Sequence, residues 1–290
     1  MADFSVFLAT QIFLRSFQNS FWSHPNDIVS LLACNCNCET IDDLPEAIRQ
    51  PVKDLFDFAF KLLTDFGVRD HQYEVIYNNT PYHVCPFCGC EYFDAPGAPR
   101  EELDHYLLKS KYPFAAANLH NLVPMGDKCN SNYKLTQDIL SNDDGTRRKS
   151  YYPYNHFGIK ISLERSEPFK GLYKLFPLPL WHIDFDPDIE ETITWDTIFH
   201  IRERYKRDVL DPEFMSWLRE FSSWCSSHML PNSDQELIDR IEQYTRHLEN
   251  MKLRDRAFLK VPVFQMLHNR CQQGHQRLFD LIKGVVIGGM

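Results

Sequence analysis

Apolar residues fall at helical spacing at the start of the chain. Phe4, Phe7, Leu8, Ile12, Leu14 and Phe17 predict a helix with one buried face over residues 1 to about 33. Leu55, Phe58, Ala59, Leu62 and Leu63 predict a second helix from Pro51 to Phe66, with Pro51 in its first turn and Gly67 to end it. Between them, Cys34, Cys36 and Cys38 alternate with asparagine in a polar loop. It reads as a loop of reduced thiols or, because Cys34 and Cys38 have zinc-like spacing, as part of a metal site. From Glu74 to Tyr92 the pattern shortens into two β-prone runs, Val75 to Tyr77 and Tyr82 to Val84, around the turn signal Asn78-Asn79, which puts a domain boundary near residue 80. Two further strand-like runs, Ile159 to Leu163 and Trp181 to Phe185, flank a proline-bearing stretch. From about Thr194 the chain returns to helical spacing, broken by Pro212 and Pro231.

Composition narrows the classes. The 290 residues are 43% hydrophobic and 24% charged, which fits a folded globular protein rather than a disordered chain or a coiled-coil rod. The apolar stretch Phe4 to Leu14 is too short for a membrane helix and lacks the basic lead of a secretory signal, so a cytoplasmic protein is expected. A net charge of −9 leaves no global positive field for nucleic acid, so any such binding has to come from a local basic patch. Nine cysteines, six of them in the two clusters Cys34, Cys36, Cys38 and Cys85, Cys88, Cys90, point to metal ligands before disulfides in a cytosolic chain.

The stretch from Cys85 to Lys134 holds the candidate chemistry. Cys85 and Cys88, closed by Gly89, have the spacing of a knuckle that aims two thiolates at one zinc. Asp104 and His105 are adjacent, offering a hard metal ligand beside an imidazole that can act as a general base. Asn121 precedes the strand-like Leu122-Val123, and Asn130 stands where an N-cap would start a helix continued by Lys134 to Ile139. The order strand, loop, strand, helix could gather Asp104, His105 and Asn130 around one divalent cation, with oxygen ligands that suit magnesium or manganese.

Over about fifty residues this segment resembles the HNH nuclease family, whose members pair Asp-His on a first strand with a central Asn before a second and a last His or Asn on a helix. Asp104-His105, Asn121 and Asn130 match those positions, and Cys129-Asn130 matches a frequent start of the helix. The resemblance implies a ββα-metal core in which His105 deprotonates the attacking water. It also implies that Asp104 and Asn130 hold one divalent ion on the scissile phosphate and that Asn121 orients the loop and the His105 ring. Cys85, Cys88 and Cys129 would hold a structural zinc. The family's fourth cysteine would stand at position 126, where this chain has Gly126; Cys90 or His83 could supply the missing ligand, or the zinc could be weak or absent. Leu108 stands where many relatives have proline, a change expected to affect loop rigidity.

Lys109, Lys111 and Lys134 beside the motif, with Arg147, Arg148 and Lys149 after it, are candidate phosphate contacts. The basic run Ile201 to Arg207 is interrupted by Glu203 and followed by acids, so it reads as a solvated helix face. The expected architecture is α+β, with a helical region at 1–80, an HNH core at 81–155 and a mixed, then helical region at 156–290. The expected activity is metal-dependent cleavage or nicking of DNA, most simply double-stranded. Two other readings stay open: a partner-gated effector subunit of a phage-defence assembly, and a zinc-type module that binds nucleic acid without cutting it.

Overall fold

The computed structural model describes residues 39–98, 103–154, 158–174, 176–228 and 230–288. The first amphipathic segment and the Cys34 to Cys38 loop lie outside these residues. The described chain is mixed helical with three small two-stranded sheets, a composition compatible with α+β. It forms two compact units, each assembled from separated pieces of sequence. Residues 39–69, 103–123 and 136–154 make the first; residues 70–98, 124–135 and 158–288 make the second. The segment 81–155 is therefore shared between the two. Among the described residues, no helix is long and apolar enough to cross a membrane.

In the first unit, Thr40 and Asp43 form a capping box that starts a short 3-10 turn at Ile41–Asp43. Helix α1 follows over Glu46–Asp65. It begins five residues ahead of the expected start, so Pro51 sits inside the helix rather than in its first turn, at the cost of one ladder hydrogen bond. Gly67, at φ +68°, ends the run in the left-handed conformation that glycine adopts without strain. Strand β1, Leu103–His105, pairs with β2, Leu122–Pro124. Behind this hairpin Tyr106, Leu107, Tyr112, Leu122, Ile139 and Leu140 are fully buried. At about 1.5 to 3 kcal/mol for each large side chain, their burial is the main term holding the unit together. Tyr154 donates from its hydroxyl to the Leu122 carbonyl at 2.6 Å, and Tyr152 is buried, so the Tyr151 to Tyr154 run packs against the hairpin.

Helix α2, Val68–Asn79, falls, apart from its first two residues, in the second unit and replaces the expected strand Val75 to Tyr77. β-branched and aromatic residues favoured a strand locally, but Tyr73 anchors a helix instead: it is buried and its hydroxyl donates to the Asp94 carbonyl at 2.7 Å. Val84, the end of the other expected run, bridges Tyr92 across a tight hairpin. Strand β3, Lys160–Ser162, pairs antiparallel with β6, Asp184–Asp186, with Ile161 opposite Phe185. The proline-bearing stretch between them is itself a hairpin, β4 Glu167–Tyr173 with β5 Phe176–Leu180.

The rest of the unit is helical: α3 Glu190–Phe199, α4 Ile201–Arg204, a π-helical stretch Tyr205–Leu210, α5 Asp211–Ser227, α6 Asp234–Met251, α7 Ala257–Gln272 and α8 Gln276–Gly288. Pro212 lies in the first turn of α5 and Pro231 in the connection before α6, as expected of helix boundaries. Phe214, Trp217, Phe221, Ile241, Phe264 and Ile282 form its core, with Phe221 packed on both Tyr244 and Phe264.

Candidate active site and metal centre

In the first unit the β1–β2 hairpin carries Asp104, His105 and Asn121. Asn121 is completely buried and all its polar side-chain atoms are used. Its Oδ1 accepts from the Leu107 amide at 2.7 Å, and its Nδ2 donates to the carbonyls of Leu107 and Ala115, both at 3.1 Å. Its own carbonyl accepts from the Tyr106 amide at 2.8 Å. One side chain thus ties the end of β1 to the loop that follows. His105 is half-buried, its ring 4.5 Å from that of Phe60 on α1, and its Nε2 lies 2.9 Å from the Ala116 carbonyl. A carbonyl can only accept, so the proton of the neutral ring sits on Nε2 and Nδ1 is the basic nitrogen. His120 is held aside by Tyr152, with Nδ1 and the hydroxyl 3.1 Å apart.

Four of the six candidate phosphate contacts are engaged in or near the first unit's packing. Lys109 pairs with Asp57 at 3.0 Å and lies over the Phe60 ring, while Lys111 pairs with the half-buried Asp138 at 2.5 Å. Arg148 is buried, with Nη2 donating to the Asp138 carbonyl at 2.6 Å, and Arg147 reaches toward the Tyr112 hydroxyl at 3.4 Å. Lys149 is exposed. Lys134, in the second unit, is buried.

Asn130 is carried by the second unit, and it does not cap a helix. The helical turn here is π-helical and runs over Lys128–Lys134, upstream of the expected span, with Asn130 inside it. Leu135, at φ +48°, stops it, and the Leu135 amide donates to the Asn130 carbonyl at 2.9 Å. Residues 135–139, expected as helix, leave it instead, because a left-handed residue ends the ladder.

That turn also delivers Cys129 to the knuckle. Gly89, at φ +64°, donates from its amide to the Cys85 carbonyl at 2.8 Å, closing the loop that carries Cys85 and Cys88. The loop is pinned from the helices: Trp195 Nε1 donates to the Phe87 carbonyl at 2.7 Å and the Tyr205 hydroxyl to the Cys88 carbonyl at 2.9 Å. The Sγ atoms of Cys85, Cys88 and Cys129 and a carboxylate oxygen of Glu91 all lie within 4.8 Å of one another, a group that could hold a metal ion. Tetrahedral thiolates at about 2.3 Å from zinc stand about 3.8 Å apart, so the donor set fits. The fourth group brought to the three thiols is thus Glu91. Of the two residues expected from sequence, Cys90 is hydrogen-bonded to Cys88 but falls outside the group whose donor atoms all lie within 4.8 Å of one another, and His83 stacks on Tyr77 at 3.8 Å.

Arg204 adds a buried cation. Its Nη1 is 3.2 Å from Cys129 Sγ and its Nη2 3.6 Å from Glu91 Oε2, and its guanidinium covers the Tyr133 ring at 4.2 Å. The basic run Ile201 to Arg207 is therefore not wholly a solvated face; Arg207 keeps to it, pairing with Glu203 and Asp208. The Cys88 thiol is held well below its usual range by hydrogen bonds from Cys129, then Cys85 and Cys90. Burial pushes the Cys85 thiol up.

Sequence reasoning missed Glu91 and Arg204. Glu91 had a faint signal, a carboxylate three residues after Cys88; Arg204, far along the chain, had none. No protein-family model, curated protein or solved structure matches the chain at a significant level.

Proposed function

We propose that the protein is a divalent-metal-dependent endonuclease of the HNH kind that hydrolyses phosphodiester bonds in DNA, with His105 as the general base. The observation that carries this reading is the 2.9 Å approach of His105 Nε2 to the Ala116 carbonyl. The bond to the Ala116 carbonyl keeps the proton on Nε2, so Nδ1 has the lone pair that takes a proton from water. Asp104 is the neighbouring residue on the same strand and supplies a hard oxygen ligand, while Asn121 holds the loop that presents the Ala116 carbonyl. The assignment of Asn130 to the same ion rests on the sequence resemblance alone. A magnesium or manganese ion there would offset the negative charge that gathers on the phosphate and the leaving oxygen. The Cys85, Cys88 and Cys129 group, with Glu91, would hold zinc in a structural role.

Plasmid nicking with magnesium, manganese or no metal tests the proposal. We expect metal-dependent conversion of supercoiled to open-circular DNA by the wild type, and a loss of at least about a hundredfold in His105→Ala, the range for a positioned general base. A folded, metal-loaded wild type that leaves the plasmid intact would overturn the catalytic reading.

A further inference from the structure

We infer that Glu91 is the fourth ligand of the metal centre, that Gly126 is glycine because Glu91 occupies the space a side chain there would need, and that Arg204 is the cation that balances and positions the set. The inference rests on the metal half of the function proposed above and is independent of its nuclease half.

Three observations carry it. First, a Cβ built at Gly126 would stand 2.6 Å from Glu91 Oε2 and 2.9 Å from Glu91 Cβ. The carboxylate could swing away, but the Cβ is fixed to the backbone, so any side chain at 126 collides with any side chain at 91. The position where the family resemblance puts a fourth cysteine and the position that supplies the carboxylate therefore exclude each other, and this chain has filled the second. Second, the carboxylate is already oriented. Its Oε1 accepts from the Lys128 amide at 2.9 Å, and its Oε2 lies 3.6 Å from Cys88 Sγ, so one oxygen is anchored to the backbone while the other faces the thiols. Anchoring of this kind fixes a ligating carboxylate in place. Third, the charge needs a partner. Three thiolates, one carboxylate and a divalent cation leave a net charge of −2, which is costly to bury. Arg204, only 6% exposed, reaches both Cys129 and Glu91 and reduces that charge while fixing their geometry. It acts through the ligands and is a positioning residue.

The test measures bound metal directly, by elemental analysis of the purified full chain and by cobalt(II) titration, in which sulfur-to-cobalt charge-transfer absorption counts thiolates. The wild type should hold one thiolate-bound ion, with the intensity of three thiolates. Glu91→Gln, which keeps the size of the side chain, should weaken metal affinity by more than about a hundredfold, beyond the range for removing an outer hydrogen-bond partner. The double variant Glu91→Gly/Gly126→Cys clears the collision and should regain tight binding, with charge-transfer intensity about a third higher, as expected for four thiolates instead of three. Arg204→Gln should cost about tenfold to a hundredfold in affinity with the thiolate count unchanged, and Arg204→Lys should recover part of it.

Unchanged affinity in Glu91→Gln would overturn the ligand assignment, and a double variant that still shows three thiolates would overturn the exclusion between positions 91 and 126, in each case leaving a metal centre in place. A folded wild type that takes up neither zinc nor cobalt would overturn the centre altogether. Neither result bears on plasmid nicking by wild type against His105→Ala, so the two readings fail separately.

Discussion

Asn121 and Leu107 close a ring on each other: the Asn121 Oδ1 accepts from the Leu107 amide at 2.7 Å and its Nδ2 donates to the Leu107 carbonyl at 3.1 Å. Both are buried at 0% exposure, so no water replaces either bond if one is lost. Asn121→Ala should therefore destabilise the protein by about 3 kcal/mol, the cost of leaving a buried amide and carbonyls unpaired. Asn121→Asp keeps the volume and the bond from the Leu107 amide but turns a carboxylate on two carbonyls, and should be at least as damaging. Urea unfolding of the two variants checks this; an Asp variant as stable as the wild type would show that the amide donors contribute nothing.

Asp138 ties the first unit together through Lys111, the Leu140 amide and the Tyr112 hydroxyl, at 2.5, 3.0 and 2.8 Å. Burial by itself would raise its carboxyl, but these bonds outweigh it and hold the group below its ordinary value. A carboxylate depressed in the folded state adds stability that is fully present above the unfolded value of about 3.9 and disappears as pH falls through the lower folded value. Asp138→Asn should cost about 2 kcal/mol at pH 7. The difference between wild type and variant should shrink when unfolding is repeated below about pH 3.

Trp195 offers an optical report on the metal knuckle, because its indole donates to the Phe87 carbonyl between Cys85 and Cys88. Stripping metal with a chelator should relax the knuckle, shift tryptophan emission and lower the melting temperature. In Trp195→Phe the melting shift should persist while most of the emission change vanishes. Equal emission changes in both proteins would mean that Trp195 does not sense the knuckle.

Pro51 is exposed inside α1 and deprives the Ala47 carbonyl of its helical partner. Pro51→Ala restores that bond and should stabilise the protein by about 1 kcal/mol once the greater freedom of the unfolded chain is deducted. Thermal unfolding reads the sign directly.

Local sequence determined much here. Apolar spacing gave α1 and the helices after Thr194, because a buried stripe at helical period needs only an apolar surface to pack on. Gly67 and Gly89 marked turns because their backbones take a conformation that side chains resist. Strand Lys160–Ser162 fell within its expected run and Asp184–Asp186 overlapped the end of its own, while of the three thiols that meet, Cys85 and Cys88 were named from spacing and Cys129 from the family resemblance. Val75 to Tyr77 went the other way: a strand-prone run became helix when Tyr73 found its partner at Asp94, a contact that propensity does not contain. The turn at Cys129 was likewise displaced, since Leu135 takes a left-handed conformation that its residue type disfavours and only its surroundings can impose.

Glu91 and Arg204 mark the division most sharply. The family resemblance could say that Gly126 left a metal set one ligand short. Only the folded chain shows that Glu91 fills the space that Gly126 vacates and that an arginine 75 residues beyond Cys129 is buried against both. Spacing records the neighbours that a short loop enforces, whereas a collision between two side chains and the neutralisation of a buried charge depend on distances through space, which the tertiary structure alone decides.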